Sequence, residues 1–114
     1  MMSDDIQIRE MAGTWVVRAG GAVLGETRKA LELREGGLPP VIYFPRDDLA
    51  MAMLDPSPTR STCPKKGEAA YFSIQAKSGP IQDAGWSYET PLEAVSAIAG
   101  HIAFYPNKAT VEEV

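Results

Sequence analysis

The sequence predicts a mainly β protein, a small antiparallel two-sheet domain with one short helix near 91–99. Three observations carry that reading. Short runs rich in β-branched and aromatic residues recur along the chain, as at 14–18, 41–44 and 69–77. Ten glycines and nine prolines punctuate these runs, with Gly20-Gly21, Gly36-Gly37 and Pro39-Pro40 as the clearest breaks. One stretch, 91–99, has the composition and the start signals of a short helix.

Residues 1–5 read as a frayed tail. Ile6-Gln7-Ile8-Arg9 alternates apolar and polar, the period of a half-buried strand. Met11-Ala12-Gly13 makes a turn into the strand at 14–18. Gly20-Gly21 takes positive φ at no steric cost, so Ala22-Val23-Leu24-Gly25 folds back as the partner of a hairpin. Residues 27–35 alternate at Ala30-Leu31-Glu32-Leu33 but also carry good helix formers. Strand is favoured because Gly36-Gly37 and Pro39-Pro40 close the segment early. Val41-Ile42-Tyr43-Phe44 is a strand that Pro45 stops.

Residues 47–54 fit two readings: one or two helical turns behind an aspartate N-cap, or a strand with Leu49, Met51 and Met53 on one face. Asp55-Pro56-Ser57-Pro58-Thr59-Arg60-Ser61-Thr62 reads as a loop on composition. Residues 69–77 and 81–88 make the next hairpin, around Ser78-Gly79-Pro80. At 91–99, Thr90 suits the N-cap, Pro91 the first helical position and Glu93 the capping box, with Gly100 as the stop. His101-Ile102-Ala103-Phe104-Tyr105 is a strand ended by Pro106, and alternation resumes over 109–114.

The chain has 114 residues, of which 45% are hydrophobic: enough for one core and too few for two, so 1–114 is expected to be a single domain. A net charge of −4 gives no general pull toward nucleic acid or an anionic membrane, and neither is expected as a partner. No apolar run approaches the roughly 20 residues of a membrane span. Asp4 and Asp5 sit where a signal peptide needs cations, so a cytoplasmic location is expected. A lone cysteine makes no internal disulfide, which fits a reducing compartment. One Cys and one His do not furnish a zinc ligand set, and no metal or other cofactor is expected.

Candidate chemistry gathers in three clusters: Tyr43-Phe44-Pro45-Arg46-Asp47-Asp48, Cys63-Pro64-Lys65-Lys66-Gly67 with Tyr71, and Trp86-Ser87-Tyr88. Tyr43, Tyr71, Trp86, Tyr88 and Tyr105 can line a pocket, since aromatic rings bury large areas and Tyr and Trp keep a polar tip. Trp86 and Tyr88, two apart in a strand, share a face. With Arg46, Cys63 and Lys66 they make an expected binding set for a small anionic or carbonyl-bearing molecule. The competing reading is ordinary core.

Catalytic candidates are Cys63, whose thiolate neighbouring cations favour, Asp47 and Asp48 as acid–base or Mg²⁺ groups, and His101 as the one histidine. Against them stand a cysteine closing a turn, an Arg–Asp ion pair and a strand histidine with a satisfied hydrogen bond. Neither Gly-Gly pair opens a helix onto a phosphate, so no nucleotide loop is found. Whether the chain is an enzyme stays open. An interaction module or homo-oligomer built on exposed strand edges is the third reading.

Taken in order, the first two clusters, Trp86-Ser87-Tyr88-Glu89-Thr90-Pro91 and Ile98-Ala99-Gly100-His101-Ile102-Ala103-Phe104-Tyr105 resemble an uncharacterised bacterial family known as domain of unknown function four-two-seven, also labelled NTP-transferase-like. The resemblance spans roughly 16–110. It implies a small β-rich fold similar to the β-tent group, in which two sheets meet at an angle. That group includes zinc-binding and methionine-sulfoxide-reductase-like domains, and some members hold a small ligand in an aromatic-lined pocket. Lys65 stands where the family commonly has an aromatic residue, and His101 where it commonly has tyrosine. Both changes make a pocket here more basic and less aromatic.

Overall fold

A computed structural model of the chain describes residues 5–114. The frayed tail expected over 1–5 lies, apart from Asp5, outside the described residues. The chain runs through β1 (Ile6–Glu10), β2 (Trp15–Ala19), β3 (Ala22–Thr27), β4 (Leu31–Glu35) and β5 (Val41–Tyr43). It continues through β6 (Leu54–Cys63), β7 (Gly67–Ala76), β8 (Gly79–Ser87), β9 (Ala103–Phe104) and β10 (Thr110–Glu113). The protein is mainly β, and every strand pair is antiparallel. The hydrogen-bonded strands form three sheets, ordered β1-β4-β5, β10-β2-β3 and β6-β7-β8-β9.

Backbone bridges join the sheets. Phe44 and Ile102 exchange both main-chain hydrogen bonds at 2.9 Å, which ties the end of β5 to the start of β9. Gly25 in β3 bridges Leu49. A Cβ at Gly25 would lie 2.5 Å from the Asp48 carbonyl oxygen, so only glycine lets the two backbones approach this closely.

Strand alternation divides the interior in two. Phe44, Ile102 and Phe104 enter one cluster with Val17, Leu24 and Ile74. Their chain neighbours Tyr43 and Ala103 enter the other, with Leu33, Val95 and Ile98. β5 and β9 therefore feed both cores at once. Burying side chains of this size contributes about 1.5–3 kcal/mol each, which is why these two short strands hold the sheets in register.

Three local expectations change. Residues 55–62, read as a loop, form the body of β6. β6 is the outer strand of its sheet and its register shifts between Pro56 and Arg60, so the missing proline donors are tolerated there. At 91–99 no α-helix forms. Glu93–Ile98 is 3-10, and Leu92, not Thr90, stands at its N-cap with no side-chain cap bond. Leu92 N is bound to Lys66 O at 2.9 Å and Gly100 N to Tyr88 O at 3.1 Å, which pins both flanks. Val95, where the backbone leaves helical angles (φ −122°, ψ 26°), and Ile98 are the residues it buries. Over 47–54 neither reading holds fully: two 3-10 turns, Arg46–Asp48 and Met51–Met53, follow Pro45 without an aspartate cap. No helix among the described residues is long and apolar enough to cross a membrane.

Candidate functional site

Register builds the site. Tyr71 of β7 faces Trp86 of β8, and Trp86 in turn faces Ala103 of β9. Tyr105 lies two residues beyond Ala103, so strand alternation sends all these side chains to one side. The rings meet there: Trp86 and Tyr105 are 4.6 Å apart between centroids, and Tyr71 stacks on Tyr105 at 6.5 Å. From the other side β5 and β4 contribute Tyr43 and Val41, and Leu33 and Glu35. The pairing of Leu33 with Val41 and of Leu31 with Tyr43 puts them on a common face. Tyr43 meets Trp86 edge-on at 6.3 Å and accepts a hydrogen bond from the indole Nε1 at 3.2 Å.

Between these walls lies a cavity of about 260 Å³, bounded also by Leu38 and Pro39 and by Tyr88 after β8. Its polar end comes from the turn between β6 and β7. Lys66 N bonds Cys63 O at 3.1 Å, which fixes the turn. The Lys66 ammonium then donates to Glu35 Oε1 at 2.6 Å and lies 3.6 Å from Cys63 Sγ. Lys65 Nζ reaches the other Glu35 oxygen at 3.4 Å. Both ammonium groups thus meet one carboxylate, and the cavity's own charged lining is the Lys66–Glu35 pair.

Electrostatics follow from this packing. The Lys66 hydrogen bond holds the Glu35 carboxyl below the usual carboxylate range. Burial pushes the Tyr88 and Tyr105 phenols up to about 12, and pushes the Tyr43 phenol further above its usual value. At neutral pH these hydroxyls are therefore uncharged hydrogen-bonding groups beside the Lys66–Glu35 pair.

The structure brings together Tyr43, Lys66, Tyr71, Trp86, Tyr88 and Tyr105. Cys63 touches the cavity's lysine but is not part of the wall. Arg46 goes elsewhere. Its guanidinium forms a two-pronged pair with Glu89, at 3.2 and 2.5 Å, and sits over the Phe72 ring at 5.3 Å. Asp48 accepts from Thr27 Oγ1 at 2.7 Å, and Asp47 is exposed. His101 Nδ1 lies 3.1 Å from Ala99 O. None of Arg46, Asp47, Asp48 and His101 borders the cavity. Among the described residues, no three His, Cys, Asp or Glu side chains gather as a metal site would require.

The polar residue that sequence reasoning missed is Glu35. The period-two run Leu31-Glu32-Leu33-Arg34-Glu35 places it on the same face as Leu33, the one signal available for it. No curated protein matches the chain. A family model described as a domain of unknown function (DUF427) matches residues 7–114, and the chain belongs to that family.

Proposed function

We propose that this domain binds a compact anionic or carbonyl-bearing molecule in the cavity between β4, β5, β7 and β8. One observation supports the reading above all others: Lys66, Tyr43, Tyr71, Trp86 and Tyr88, from segments far apart in sequence, border the same hollow. An apolar cleft with a few convergent polar groups is the usual form of a small-molecule site. At about 260 Å³ the space suits a single ring or a short acid. The carboxylate or carbonyl oxygen would take hydrogen bonds from Lys66 and a phenol, and the rings would flank its apolar part.

The test is a thermal-shift and calorimetric comparison of matched small acids, amides and amines. Acids and amides stabilise the protein and amines do not. Lys66→Met weakens the acids by about ten- to a hundredfold, the equivalent of one charge-assisted hydrogen bond of about 1.5–3 kcal/mol. Amines binding as tightly as acids would overturn the reading.

A second reading, a thiol enzyme, is favoured by one contact, the 3.6 Å approach of the Lys66 ammonium to Cys63 Sγ. Cys63→Ser separates the two: it leaves ligand stabilisation intact if the cavity only binds, and abolishes any turnover if the thiol attacks.

A further inference from the structure

A second hollow of about 630 Å³ lies against the first. Its walls include Trp15, Ile42, Phe104, Pro106, Ala109 and Val111, and the one side-chain hydroxyl among its lining residues is that of Thr110. Leu38, Pro39, Val41 and Trp86 border both hollows. A polar end holding the Lys66–Glu35 pair and a largely apolar hollow thus adjoin across Leu38, Pro39, Val41 and Trp86. Leu38, on the shared boundary, is 62% exposed.

From this continuity we infer that the ligand is an amphiphile, a straight-chain or aryl-alkyl carboxylate whose head occupies the cavity at Lys66 and whose tail lies in the apolar groove. The inference rests on the cavity reading given above. A hydrocarbon tail asks nothing of the groove but apolar contact. A peptide would bring backbone polar groups into it and find a single side-chain hydroxyl, at Thr110, to meet them. The polarity agrees: no charged side chain lines the groove, while the head end has Lys66 and its partner Glu35.

The experiment titrates acetate, butyrate, hexanoate, octanoate and decanoate, each below its micelle-forming concentration, by calorimetry. Each buried CH₂ is worth about 0.8 kcal/mol, so the dissociation constant falls about fifteenfold per two-carbon step until the groove is full. Thr110→Asp places a carboxylate in the groove on an exposed position of β10, away from the cavity walls. It removes the chain-length gain while leaving acetate binding unchanged. Pro106→Glu, also exposed, repeats the test independently. Short acids that bind with no gain from length overturn the inference and leave the cavity reading standing. Failure of every acid to bind overturns both. A gain that survives in both groove variants overturns the inference. So does a ligand-free dimer that Thr110→Asp dissociates, since the groove would then cover a second copy of the chain.

Discussion

Lys66 Nζ donates to Glu35 Oε1 at 2.6 Å, and the two residues are 31 positions apart. The bond ties the turn between β6 and β7 to the end of β4, and the side chains keep only 11% and 15% of their exposure. Removing either partner strands a withdrawn charge. Lys66→Met and Glu35→Gln are each expected to lower the unfolding free energy by about 1–3 kcal/mol in urea titrations. The double variant loses less than the sum, because the second change removes the group that the first left unpaired.

The same pair sets an acid limit. Glu35 is held low by Lys66, and Glu32, almost fully buried, is held low by Arg34 and, after the opposing effect of burial, by Arg9. A depressed folded pKa means that the stabilisation is complete above the unfolded value, about 4.3 for glutamate, and is lost as pH falls through the folded value. Urea midpoints should therefore be flat just above pH of about 5 and fall below about 4.3. Glu35→Gln reduces that slope without abolishing it, since Glu32 still contributes. An unchanged slope would show that the Lys66 contact does not persist in solution.

Trp86 and Tyr43 make a second coupled pair. Tyr43 is fully buried, and its hydroxyl accepts from Trp86 Nε1. Trp86→Phe keeps a ring in place but leaves that hydroxyl without its donor, at a cost of about 1–3 kcal/mol beyond the smaller ring. Adding Tyr43→Phe removes the stranded oxygen and restores part of the loss. Denaturation of the single and double variants measures the recovery, and strict additivity would count against the bond.

Local chemistry was legible in the sequence where it decides structure locally. Gly20-Gly21 turns at positive φ, so the β2–β3 hairpin was readable from those two residues. Alternation in Val41-Ile42-Tyr43-Phe44 likewise sends Tyr43 and Phe44 to opposite cores. β6 was hidden because Pro56 and Pro58 look like loop residues unless the strand is known to be an edge. At 91–99 the backbone leaves helical angles at Val95, and the segment is tied at both flanks to Lys66 and Tyr88, tertiary contacts that composition does not show. Arg46 follows Tyr43 closely in sequence, but Pro45 and the 3-10 turn carry it away from the cavity to Glu89. Glu35 looked like one more solvent-facing acid, since only the folded chain supplies its lysine.

The tyrosines make an alkaline counterpart to the acid limit. Burial raises the phenols of Tyr88 and Tyr105 to about 12. A raised folded pKa leaves stability complete below the unfolded value, about 10 for tyrosine, and erodes it as pH rises through the folded one. Stability should therefore decline between pH of about 10 and 12. In phenolate absorbance, Tyr88→Phe and Tyr105→Phe leave the signal change up to about pH 10.5 as it is in the parent and remove signal only above it. Loss of the early signal would mean that these phenols face water.

Arg46 supplies the sharpest separation of structure from binding. Its guanidinium holds Glu89 while lying over Phe72, and neither partner borders the cavity. Both charged side chains are about a third or more exposed, at 35% and 44%, so the ion pair itself is worth about 0–1 kcal/mol. Arg46→Met keeps a flexible stem over the ring and gives up the charge. The variant should lose about 1 kcal/mol of stability at most and bind the cavity's ligand as the parent does. Lys66→Met, by contrast, should lose both. Two cations that the sequence set side by side as candidate binders are thereby told apart in one pair of titrations: a fall in affinity with Arg46→Met equal to that with Lys66→Met would mean that the ligand reaches Arg46 and that the binding surface extends beyond the hollow at Lys66.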